Sequence, residues 1–68
     1  MTEIEVHTEV DGKMHATKVS AQTFQTLRFW ETQNRRSVQS ILYKVVKDYG
    51  EFNEENIIKL LERLKKYE

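Results

Sequence analysis

The sequence predicts a mainly α-helical protein with a short N-terminal β segment, in the order strand, strand, helix, helix, helix. Three observations support this fold class. Residues 4–10 alternate between apolar and polar side chains, which is the spacing of a half-buried strand. Asp11-Gly12 lies between two extended runs and is a strong signal for a tight hairpin turn. Apolar residues then recur at helical spacing from residue 24 to residue 64.

The two strands are expected to pair through a two-residue type I′ turn at Asp11-Gly12. This register pairs Val10 with Lys13, Val6 with Thr17, and Glu5 with Lys18. It also places His7 and His15 on opposite faces of the hairpin, because successive side chains alternate across a strand. The two histidines therefore do not form a ligand pair, and we expect no metal site.

Each helix is expected to begin at a polar residue that caps its first turn. These capping residues are Ser20, Ser37 and Asn53. The first helix has an apolar stripe of Phe24, Leu27 and Trp30. Gly50 is expected to end the second helix, because glycine readily adopts the left-handed conformation found after helices. The third helix, which begins after Asn53, carries a wide apolar face.

The second helix, at residues 38–49, is apolar on most of its sides. A chain of 68 residues buries only a limited fraction of its surface. It also contains no cysteine that could form a disulfide. We therefore expect a homodimer, since a second chain would be needed to cover this helix. Its expected dimer core comprises Val38, Ile41, Leu42, Val45 and Val46.

Several functional classes are not expected. No apolar run approaches the ~20 residues of a membrane span, and the N-terminus is acidic, unlike a signal peptide. The sequence contains no glycine-rich phosphate loop, no cysteine nucleophile and no recognisable pair of catalytic carboxylates. We therefore expect a cytoplasmic protein that is not an enzyme and binds neither a cofactor nor a membrane.

The formal net charge is zero, but the charges are unevenly distributed. Residues 1–11 carry four acidic and no basic side chains, whereas residues 12–50 carry seven basic and two acidic ones. Such an asymmetry suits an anionic partner such as nucleic acid. Arg35 and Arg36 directly precede the Ser37 cap, where the unpaired amides of a helix start attract phosphate.

Residues 13–49 resemble the ribbon-helix-helix (Arc/MetJ-like) family of DNA-binding proteins. The second helix carries the resemblance, without a gap, through Asn34, Arg36, Ser37, Val38, Ser40, Tyr43 and Val46. The first helix agrees in phase, because its apolar stripe falls where the family keeps core residues. The resemblance covers about half of the chain. The third helix lies outside it and resembles an addition found in small archaeal-virus regulators.

The resemblance implies an intertwined homodimer whose two strands form a ribbon in the DNA major groove. The residues facing the groove would be Met14, Ala16 and Lys18. A shift of one residue would exchange the two faces and present Lys13, His15 and Thr17 instead. We favour the unshifted alignment because the helices align without gaps. The phosphates would be held by Arg35, Arg36, Ser37 and Val38.

The chain departs from the family pattern in three places. Met14 and Ala16 cannot hydrogen-bond to bases through their side chains, so only Lys18 offers a donor to a guanine edge. One member of the family buries an Arg–Glu–Arg triad, whose apolar replacement stabilises the dimer. Here Arg36 occupies the first of these positions, but Ile41 and Val45 occupy the others, which predicts a tight dimer without that ion network. Residues 1–12 form either an additional strand or a mobile acidic arm. As a strand, they would place Glu5 and Glu9 on the face that approaches DNA.

We therefore expect three segments: the arm at residues 1–12, a ribbon-helix-helix domain at 13–50 and a third helix at 51–68. The expected function is sequence-specific binding of double-stranded DNA by a transcriptional regulator, a repressor for example, in the host cytoplasm if the protein is viral. The alternative is an antitoxin-like or adaptor protein whose third helix binds another protein. A third possibility is an interaction module that uses the acidic arm and has no affinity for DNA.

Overall fold

The computed structural model describes residues 3–34 and 37–66. Two strands, β1 (Glu3–Val10) and β2 (Lys13–Ser20), are followed by three helices. These helices are α1 (Ala21–Asn34), α2 (Val38–Tyr49) and α3 (Glu54–Lys66). The strands form a two-stranded antiparallel sheet, and most of the remaining described residues are helical. The predicted order of elements is therefore confirmed.

The hairpin has the register that the sequence predicts. Asp11 and Gly12 both have positive φ, at 53° and 81°, as a type I′ turn requires. Val10 lies opposite Lys13, and the pairing continues without a bulge to Glu3 opposite Ser20. Even-numbered residues of β1 and odd-numbered residues of β2 face the helices, whereas the other two rows are exposed to solvent.

Side chains cap the second and third helices as predicted. Ser37 Oγ accepts a hydrogen bond from the Ser40 amide at 3.0 Å. Asn53 Oδ1 accepts one from the Asn56 amide at 2.8 Å. Gly50 ends α2 in the left-handed conformation, with φ 79°, and its amide donates to the Val46 carbonyl at 2.9 Å. These caps set where the interhelical turns begin and end.

The hydrophobic core lies between the helix-facing side of the sheet and the three helices. The side chains with 0% exposure are Val19, Leu27, Leu42, Val45, Ile57 and Leu60. Every strand or helix except β1 contributes at least one of them, and β1 adds Val6 at 5%. The apolar side of α3 therefore packs into the core of its own chain. None of the described helices combines the length and the hydropathy that crossing a membrane would require.

The burial of α2 changes the case for a dimer. Ile41, Leu42, Val45 and Val46 are all buried, and Val38 packs against the same core, within a single chain. The opposite side of α2 is exposed at Gln39, Ser40, Tyr43, Lys47 and Asp48. The helix therefore has one apolar side and is not apolar all around. No second chain is needed to cover that side. A dimer has to be inferred from other surfaces.

Candidate nucleic-acid interface

The exposed face of the hairpin contains the three residues predicted to face the DNA groove. Met14, Ala16 and Lys18 are all exposed, and Met14 retains 67% of its accessible surface. They lie in one row along β2 because side chains at i, i+2 and i+4 share a face. The exposed row of β2 thus carries two apolar side chains and one cationic side chain.

The neighbouring row on the same face is acidic. The register places Glu5 opposite Lys18, Glu9 opposite Met14 and His7 opposite Ala16. Glu3 lies in the same exposed row. His7 Nε2 lies 3.7 Å from Glu5 Oε1, and both side chains are exposed. The face carries three carboxylates and one ammonium group, so its own field is repulsive to phosphate.

The row that a one-residue shift would present lies on the other side of the sheet. His15 and Thr17 are half-buried and face the helices, and Lys13 is exposed at the end of the strand. The His15 ring contacts the Phe52 ring edge-on, with centroids 6.4 Å apart and planes at 77°. In this chain, His15 and Thr17 would have to leave the helix-facing side before they could contact DNA.

The start of α2 was predicted to hold phosphate. Arg35 and Arg36 lie outside the described residues, whereas Ser37 and Val38 are within them. The Ser37 side chain caps the helix, and the Val38 amide donates to Glu31 Oε2 at 3.4 Å. A carboxylate of the chain itself therefore faces one of the two amides assigned to phosphate binding.

Glu31 is a residue that sequence reasoning missed. It lies in the last turn of α1, where the helix dipole disfavours a negative charge. Two groups compensate this negative charge. One is the Val38 amide, and the other is Arg28, whose Nε lies 3.5 Å from Glu31 Oε1. The sequence did contain a signal for this contact. Glu31 is an acidic residue in the last turn of a predicted helix, where its charge is unfavourable, and it lies seven residues before the start of the next predicted helix. It marks the α2 start as a place where the chain already holds an anion.

A second surface is the groove between α1 and α3, with a volume of about 520 Å³. It is lined by Trp30 and Leu61, which are buried, and by Ile58 of α3, which remains 40% exposed. At one end, Glu54 Oε2 accepts hydrogen bonds from the Ser20 amide and the Thr23 hydroxyl, both at 2.9 Å. These bonds lower the Glu54 pKa, with the Ser20 amide as the largest cause.

Among residues 3–34 and 37–66, no three His, Asp or Glu side chains converge so that they could hold a metal ion. No protein-family model, curated protein or solved structure matches the chain. The function therefore has to be inferred from the geometry and charge of the hairpin face, the α2 start and the groove, together with the sequence resemblance.

Proposed function

We propose that the protein is a ribbon-helix-helix DNA-binding regulator that acts on double-stranded DNA as a homodimer. The observation that carries the proposal is the order β2–α1–α2, with an exposed row on β2 and a Ser37-capped α2 directly after Arg35 and Arg36. The resemblance to the family covers this same part of the chain.

The proposed dimer forms through the outer edge of β2. Within the described part of the chain, β2 hydrogen-bonds to β1 along one edge and has no strand on the other. Such an edge carries unpaired backbone donors and acceptors and favours pairing with another strand. Antiparallel pairing of two β2 strands would place both copies of Met14, Ala16 and Lys18 at the centre of a sheet.

DNA would be bound by two sets of residues with different tasks. Lys18 offers a donor to a guanine edge, and Met14 and Ala16 offer apolar contact to thymine methyl groups. Arg35 and Arg36, with the Ser37 and Val38 amides, would hold phosphates and set the register of the protein on the duplex. Phosphate at the Val38 amide would take the place of the Glu31 carboxylate.

The acidic row of β1 limits how the sheet can approach DNA. The major groove admits a two-stranded ribbon, so the two β1 strands would lie beside the groove, near the phosphates. Glu5 and Glu9 then oppose binding at every sequence. Affinity in this proposal comes from the cationic groups, and site choice comes from the β2 row together with DNA shape.

The test is the salt dependence of duplex binding, followed by fluorescence anisotropy with purified full-length protein. Arg35→Ala should weaken binding to all duplexes and reduce the slope of log K against log salt by about 0.9 for each phosphate that is no longer neutralised. Lys59→Ala removes the same charge from the exposed surface of α3 and should leave the slope unchanged. Absence of duplex binding by the wild-type protein at low salt would refute the proposal.

The alternative function, docking of another protein as an antitoxin or adaptor does, is supported by the groove between α1 and α3. Most of the apolar side of α3 is used in the core, at Ile57, Leu60 and Leu61. Ile58 remains at the groove and is the apolar group available to a partner. Deletion of residues 53–68 tests this alternative: if the remainder still dimerises and binds DNA, the third helix is free for a partner, and if it unfolds, the helix belongs to the core.

A further inference from the structure

We infer that the groove between α1 and α3 binds a second copy of this chain, with the two α3 helices antiparallel about a twofold axis. The groove adjoins the Ser20 end of β2, and the inference does not rest on DNA binding. Three observations support it: the shape of the groove, the order of charges along α3, and the lack of charge on the neighbouring surface of α1.

The groove offers an apolar site of suitable size. Its volume is about 520 Å³, and its lining includes Trp30 and Thr26 of α1 and Leu61 of α3. Ile58 is 40% exposed, whereas Ile57 and Leu61 on the same helix are almost fully buried. Helix-in-groove binding uses apolar side chains of this kind, supplied by one face of an amphipathic helix.

The exposed stripe of α3 is complementary to itself. Glu55, Ile58, Glu62 and Lys65 are all exposed and follow one another at i, i+3, i+7 and i+10, which places them on one side of the helix. A twofold axis near residue 60 places Glu55 opposite Lys65 of the second copy, and Ile58 opposite the aliphatic stem of its Glu62. Both contacts then occur twice, as an isologous interface requires.

Charge favours a second copy in this orientation. The acidic residues Glu54 and Glu55 lie in the first turn of α3, and Lys65 lies near its end. Reversing a second α3 therefore brings opposite charges together at both ends and also sets the two helix dipoles antiparallel. The exposed face of the hairpin, with three carboxylates and one ammonium group, would instead repel its own copy.

The surface of α1 next to the groove carries no charge. The α1 residues that line the groove are Gln22, Thr23, Thr26 and Trp30, and none of them is charged. The centres of protein interfaces are depleted in charge and enriched in aromatic side chains, so this lining suits a self-association site.

The first test is the mass of the full-length protein in solution, measured by light scattering over a range of concentrations without DNA. Ile58→Asp should lower the limiting mass, to that of a dimer if the β2 edges pair and to that of a monomer if they do not. Tyr43→Ser removes a comparably exposed side chain from α2 and should leave the mass unchanged. An unchanged mass for Ile58→Asp, or a wild-type mass equal to that of the variant at every concentration, would overturn the inference.

The second test separates pairing from misfolding. Glu55→Lys and Lys65→Glu each bring like charges together at both ends of the interface, so each variant alone should show the reduced mass. An equimolar mixture restores two attractive contacts and should regain the wild-type mass. Circular dichroism should show that both variants are folded. A mixture no heavier than its components would refute the antiparallel arrangement, whatever the outcome of DNA binding.

Discussion

The backbone amide of Ser20 donates to Glu54 Oε2 at 2.9 Å, across 34 residues of sequence. Ser20 caps α1, and its Oγ lies 3.3 Å from the Thr23 amide. In a capping box, a glutamate at the third helical position of the same helix accepts from the amide of the capping residue. Here that position is Thr23, and α3 supplies the carboxylate. One side chain thus joins the starts of two helices.

Removing this carboxylate should loosen α3. Glu54→Ala leaves the Ser20 amide and the Thr23 hydroxyl without their acceptor, and Thr23 is only 7% exposed. We expect the free energy of unfolding to fall by about 1–2 kcal/mol, the range for removing a helix cap or a hydrogen bond to a buried group. Urea denaturation followed by circular dichroism measures this. Glu9→Ala, which removes an exposed carboxylate from β1, should change it by less than about 0.5 kcal/mol.

Stability should fall at acid pH, and part of this fall should depend on Glu54. Hydrogen bonds from Ser20 and Thr23 lower the Glu54 pKa, and the Arg63 side chain lowers the pKa of Asp48. A lowered pKa means that the stabilisation is complete above the ordinary carboxylate range, near pH 4, and is lost as the pH falls through the folded-state value. Glu54→Gln should therefore show a shallower decline below about pH 4.5 in thermal melts. An identical pH profile for the two proteins would exclude this role.

The burial of α2 predicts opposite effects for two neighbouring residues. Leu42 is fully buried in one chain, whereas Tyr43 is 42% exposed. Leu42→Ala should lower the free energy of unfolding by about 2–5 kcal/mol, a large share of a small domain's stability. Tyr43→Ala should lower it by less than about 1 kcal/mol. Chemical denaturation at several protein concentrations gives both values, and similar decreases would contradict the described packing.

Glu31 should oppose the binding of DNA if phosphates approach the start of α2. Glu31→Gln removes the charge that faces the Val38 amide while keeping a side chain of the same size. We expect a lower Kd for duplex DNA at low salt and a smaller gain at high salt, because the effect is electrostatic. Glu51→Gln removes the same charge beyond the far end of α2 and serves as the control. Equal Kd values for wild type and Glu31→Gln would place the phosphates elsewhere.

The acidic row of β1 offers a separate test of the approach of the hairpin. Glu5 and Glu9 share a face with Met14, Ala16 and Lys18. Their combined replacement by glutamine should tighten duplex binding several-fold at low salt if this face meets DNA, since each carboxylate repels nearby phosphates. The measurement is the anisotropy titration used for Arg35→Ala. A Kd that does not change would show that the exposed face points away from the duplex.

The hairpin turn and the helix ends could be predicted because the residues that determine them lie at the turn or helix end itself. The Asp11-Gly12 turn determines the pairing of the strands, and Ser37, Gly50 and Asn53 mark helix ends through their own hydrogen bonds or backbone angles. The covering of α2 could not be predicted in this way. Helical spacing shows which side of a helix is apolar, but it does not show that β1 and α3 of the same chain lie over it.

In the candidate site, too, local features could be predicted from the sequence, whereas tertiary contacts could not. The family resemblance implied that Met14, Ala16 and Lys18 face outward, and all three are exposed. The contact between Glu31 and Val38 depends on how the turn after α1 brings two helix ends together, and the contact between Ser20 and Glu54 spans half of the chain. Such contacts arise from tertiary packing, for which a single sequence carries no periodic signal.

The two-residue turn at Asp11-Gly12 protects the outward chemistry of the sheet. A register shifted by one residue would exchange the rows of β2, turning Lys18 toward the helices and exposing Val19, which is fully buried. Substitutions within the outer row leave that buried row in place. The surface of the hairpin can therefore change one residue at a time, whereas its register is held by the core.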